Sequence, residues 1–64
     1  MFEKLRALRQ EKGIPGEKLA EILGLETKSA YYKKETGSIK FTIYEAKKIA
    51  DFFGMTIEQI FFED

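Results

Sequence analysis

The chain has 64 residues, 44% hydrophobic, with 11 Lys and Arg against 11 Asp and Glu for a formal net charge of zero. A chain this short holds one core and no substrate-sized cleft, and it buries only about 60% of the surface its unfolded form exposes. The absence of Cys and His excludes disulfides and thiolate metal sites, and removes the commonest general base.

Glycines punctuate the chain into five helix-length pieces. Gly13, Gly24, Gly37 and Gly54 each follow a helical pattern, where a residue at positive φ commonly ends a helix. The first predicted helix covers residues 2–12, with Leu5 and Leu8 inward and Arg6, Arg9 and Lys12 expected on a solvated face. The second, 17–23, turns Leu19, Ala20, Ile22 and Leu23 inward. The third, 28–35, is the most polar and offers the core only Tyr31 and the stem of Lys34. Lys28, Ser29, Tyr32 and Lys33 fall on its outward face.

The fourth helix starts at a capping box, Thr42 with Glu45, and carries the stripe Ala46, Ile49, Ala50 and Phe53 at i, i+3, i+4 and i+7. The fifth repeats the device with Thr56 and Gln59 and buries Ile57, Ile60 and Phe61. Alternation typical of strands never lasts. The predicted fold is all-α, with Leu5, Leu8, Leu19, Ala20, Leu23, Leu25, Ile49, Ala50, Phe53, Ile57 and Ile60 sharing one core.

Charge is distributed unevenly. All 11 basic residues lie in residues 1–50 against 7 acidic ones, a local net of +4, while 51–64 are acidic only. This asymmetry suits one basic, phosphate-facing side and an acidic far end. No apolar run approaches the roughly 20 residues of a membrane span and no secretory leader is visible. The expectation is therefore a soluble, cytoplasmic protein, for which Met1 reads as a natural start.

The second and third helices form the informative pair. Leu19-Ala-Glu-Ile-Leu-Gly-Leu25, a tight turn and then a polar helix follow the helix-turn-helix pattern, with Ala20 allowing close approach. A polar helix presented outward suits the major groove, whose base edges carry donors and acceptors. The stretches 5–14, 19–25, 33–37 and 45–54, closed by 56–61, resemble in order and spacing the lambda-repressor-like, Cro/Xre-type helix-turn-helix family. That resemblance implies a five-helix domain that binds double-stranded DNA, often as a homodimer, in small phage or bacterial repressors.

The resemblance places Lys28, Ser29, Tyr32 and Lys33 against bases, with Lys33 and Tyr32 leading and a lysine suited to guanine O6/N7. It places Lys40 of the 37–41 loop near the phosphate backbone, with Thr42 adding to its capping role. Family members usually begin the second helix with Thr/Ser-Gln. Here Pro15 and Gly16 occupy those positions, so a phosphate there would be held by backbone amides at Gly16. One extra residue lies within 26–29, which lengthens the turn or moves the helix start. Phe52 and Phe62 sit off the core stripes and are candidates for a dimer patch; Phe2 suits either role.

No cofactor, metal or small-molecule substrate is expected, and catalysis is disfavoured because Ser29 and Ser38 have no histidine to activate them. The rival to a DNA-binding regulator is the same fold used as a protein-interaction module, for example a repressor's partner or antagonist. Zero net charge, Pro15-Gly16 and the aromatic excess favour that rival; the basic third helix favours DNA.

Overall fold

A computed structural model describes residues 2–62. Its five helices are α1 (Glu3–Glu11), α2 (Gly16–Leu23), α3 (Lys28–Thr36), α4 (Ile43–Phe53) and α5 (Ile57–Phe61), with no strand among the described residues. Boundaries fall within two residues of those read from the sequence, because the stop and start signals are chemical. At Gly24, φ is +75°, and the amide of Leu25 donates to Ala20 O at 2.9 Å. A side chain would strain that left-handed turn.

Both capping boxes form. Thr42 Oγ1 accepts from Glu45 N at 3.1 Å while Thr42 N donates to Glu45 Oε1 at 2.9 Å. Thr56 and Gln59 reproduce the pair at the start of α5. The extra residue before α3 lengthens the turn: the helix begins at Lys28, and Thr27 caps it by accepting from Ala30 N at 3.2 Å.

Leu5, Leu19, Ala20, Leu23, Tyr31, Ile49, Ala50 and Ile60 form the buried cluster, with Ala46 also buried. Leu8, Leu25, Phe53 and Ile57, expected in the core, are only partly buried and pack against its edge. Sixty-odd residues enclose too little volume to cover every apolar stripe. Phe2, Phe41 and Phe61 close the base of the core through edge-on ring contacts with centroids 5.1–5.6 Å apart. Helix α2 packs on both α3 and α4, and α5 bridges α4 and α1.

Arg9 departs most sharply from expectation. It is 8% exposed rather than solvated, and its guanidinium donates to both carboxylate oxygens of Glu35, at 2.9 and 3.1 Å. Tyr31 OH donates to the same carboxylate at 2.6 Å. Spacing explains the correction: Arg9 lies four residues after Leu5 and so shares its inward face. The pair fastens α1 to α3, and the hydrogen bond to Glu35 holds the Arg9 guanidinium above its ordinary pKa despite burial. Burial, reinforced by Glu35, pushes the Tyr31 hydroxyl well above the usual tyrosine value.

Candidate nucleic-acid interface

Helix α3 is seated by three inward side chains, Tyr31, Lys34 and Glu35, all buried. Lys34 would be costly there as a lone charge. It is satisfied by Glu45 Oε1 at 3.0 Å and Lys40 O at 3.1 Å. Glu45 thus caps α4 and neutralises α3 with one carboxylate. Partial burial pushes that carboxyl up, but the Thr42 amide and Lys34 outweigh it and hold its pKa below the ordinary range.

With the inner face settled, Ser29, Lys33 and Thr36 form the opposite stripe at i, i+4 and i+7, and all three are exposed. Lys28 is exposed at the first turn. Thr36 was missed by sequence reasoning because it lies beyond the expected helix end; its seven-residue and three-residue spacings from Ser29 and Lys33 were the available signal. Lys40 and Thr42 are exposed on the loop that follows. Among the described residues, the Lys28, Lys33 and Lys40 ammonium groups make no ion pair, whereas Arg9 and Lys34 are paired internally. The chain therefore leaves unpaired positive charge along α3 and the adjoining loop.

Two residues expected at the DNA surface are otherwise engaged. Tyr32 is only half-exposed, with its ring 5.4 Å below the Arg9 guanidinium and 5.6 Å from the Tyr31 ring. Its hydroxyl accepts from Gly16 N at 3.2 Å. The Gly16 amide, expected to be open to a phosphate, already has a partner, and Gly16 itself is buried.

A family model described as helix-turn-helix matches residues 5–60. The chain belongs to the Cro/Xre-type helix-turn-helix family. Within it, α2 and α3 are the helix-turn-helix pair and the chain is a DNA-binding regulatory domain of that general type. Comparisons with curated proteins and with solved structures gave no match. No helix among the described residues is long and apolar enough to cross a membrane.

Elsewhere on this helix-turn-helix domain, Phe52 and Phe62 are both exposed but do not share a patch. Phe62 lines two apolar grooves of about 590 and 480 Å³ together with Ile43 and Ile57. Phe52 packs edge-on against Phe53 at 5.0 Å. It lies nine residues after Ile43, about half a turn round α4 at roughly 100° per residue.

Proposed function

We propose that this domain is a sequence-specific regulator of transcription, a repressor, that lays α3 in the major groove of double-stranded DNA. The observation that carries this reading is the face of α3: Ser29, Lys33 and Thr36 in one exposed stripe beside Lys28, with neither lysine ion-paired to a carboxylate among the described residues. Lys33 and Lys28 are the residues for guanine edges, and Ser29 is permissive. Lys40 and Thr42 approach the phosphate backbone, which fixes register without reading sequence. Tyr32 and Gly16 are better understood as a pair that supports α3 than as DNA contacts. Occupying a site near a promoter blocks its use, so repression is the simplest consequence of such binding.

A homodimer completes the proposal. The described residues measure 29 × 22 × 19 Å, too short for one copy to reach two half-sites about 34–36 Å apart. Phe62, with Ile43 beside it, offers the apolar surface for the second copy; Phe52 points elsewhere and is dropped from that surface. The competing reading, a protein-interaction module, draws on the same exposed Ile39, Ile43 and Phe62.

Generic duplex DNA at low salt separates the two in a gel shift, since phosphate-driven binding needs no operator. Retarded DNA that is released steeply as salt rises supports the regulator. Absence of any shift, with a protein partner bound instead, supports the module.

A further inference from the structure

Gly16 has no need of a glycine's backbone freedom. The positive-φ residues are Gly13, Gly24, Gly37 and Gly54, and Gly16 is not among them. Its missing side chain serves clearance. A Cβ at Gly16 would stand 2.4 Å from Tyr32 Cζ and 2.7 Å from Cε1, well inside van der Waals contact. The ring has little freedom to retreat. Arg9 covers it at 5.4 Å, and Arg9 is itself tied to Glu35 and, through Nη1, to Ile14 O at 3.1 Å. Tyr31 meets it edge-on.

The start of α2 is short of a cap. Pro15 occupies the N-cap and has no side-chain oxygen to offer. The Lys18 amide donates to Pro15 O at 3.0 Å, but the Gly16 amide at the first helical position precedes the intrahelical ladder. Tyr32 OH supplies an acceptor from another helix, taking the Gly16 N–H at 3.2 Å. One phenol therefore caps α2, fills the space over Gly16 and is clasped by α1. It stands on α3 immediately before Lys33 and one turn after Lys28.

We propose that Tyr32 is a positioning residue that sets the seat of α3 against α2, with Gly16 as the other half of the device, and thereby governs how sharply the domain discriminates DNA sequences. The proposal rests on the reading of α3 as the DNA-reading helix. Contacts to base edges require side chains held to within about 0.5 Å, so a small rotation of α3 spoils several at once. Phosphate attraction is far less sensitive to such a rotation. Loss of Tyr32 therefore lowers discrimination across the whole site while leaving generic binding in place.

The test begins by selecting a preferred duplex from a randomised pool with the wild-type domain. Affinity for that duplex and for the unselected pool is then measured, together with thermal melting, for Tyr32→Phe, Tyr32→Ala, Gly16→Ala and the double variant Gly16→Ala/Tyr32→Ala. Tyr32→Ala and Gly16→Ala are each expected to lose about tenfold on the selected duplex, with pool binding at low salt within about twofold of wild type. Tyr32→Phe keeps the ring and retains most of the discrimination. The double variant is no worse than either single one, because both changes remove the same contact.

A double variant showing the product of the two losses would overturn the proposal, as would a Tyr32→Ala effect confined to one base position, which marks a base-reading residue. Should Gly16→Ala fail to fold, Tyr32→Ala and the clash-free double variant still give the comparison, equality supporting the proposal and further loss refuting it. Wild-type domain that binds no duplex at low salt overturns the DNA reading and this proposal with it; the other contrary outcomes leave the DNA reading intact.

Discussion

A buried charge is tolerated only when its partner is aimed at it, and Arg9 and Glu35 meet that condition with two hydrogen bonds at 8% and 3% exposure. Removing Arg9 takes both guanidinium bonds from the Glu35 carboxylate, which keeps the Tyr31 hydroxyl at 2.6 Å and Arg6 Nε at 3.9 Å. The loss falls short of the ~3–5 kcal/mol typical of a buried ion left with no partner. Arg9→Ala should therefore destabilise by about 1.5–3 kcal/mol in a denaturant titration. The double variant Arg9→Ala/Glu35→Ala should lose less than the sum of the two single losses, because both single changes remove the same pair. Equal stability of Arg9→Ala and wild type would mean that the pair contributes nothing. The sequence carried a usable sign of Arg9's place, its four-residue spacing from Leu5, but a surface arginine and an inward one are spelled alike. Only the position of Glu35, 26 residues away, decides between them. Tyr32 presents the same difficulty: its outward register on α3 is visible in the sequence, while the gap over Gly16 that receives it is not.

Helices were the most legible level, because their ends are written in local chemistry. Four glycines at positive φ and two capping boxes place nearly every boundary. Thr27 was less legible as a cap because no Glu or Gln follows three residues later to complete a box. At this scale Glu45 links α4 to α3, and its depressed pKa carries a pH dependence. A carboxyl with a lowered folded-state pKa stabilises the fold above its unfolded value, near pH 4.3, and that stability is lost as pH falls through the folded value. Glu45→Gln preserves the box, since glutamine also serves there, but gives up the charge opposite Lys34. Wild type should lose denaturant resistance on acidification from neutral pH into the range below pH 4.3, and the variant should lose less. Parallel acid profiles for the two proteins would remove Glu45 from the account.

Over the whole molecule, stability rests on a small core with few substitutes. Leu23 at 8% exposure and Ile49 at 0% sit within it. Leu23→Ala or Ile49→Ala should each cost about 2–5 kcal/mol, a large share of what a small domain has. Changes under about 1 kcal/mol at both would contradict the packing described. The five-helix architecture followed from periodicity, but the outer face did not: pairing Phe52 with Phe62 required knowing how α4 is turned. The proposed homodimer uses the grooves beside Phe62, so Phe62→Glu should shift sedimentation toward monomer while Phe52→Glu leaves it unchanged. Identical sedimentation of wild type and Phe62→Glu would place the interface elsewhere.

The central claim, that α3 reads bases while the following loop holds phosphate, is tested most directly by comparing Lys33→Ala with Lys40→Ala on a selected duplex and on generic DNA over a range of salt. Both lysines are exposed, so melting should be nearly unchanged in either variant. Lys33→Ala is expected to lose about 1–3 kcal/mol on the selected duplex and to relax preference at one or two positions. Lys40→Ala is expected to weaken all sequences alike and to reduce the salt slope by about one unit, because the lost phosphate contact no longer releases its counterion. If Lys33→Ala weakens every sequence equally, or if neither substitution alters DNA binding, α3 is not the reading helix.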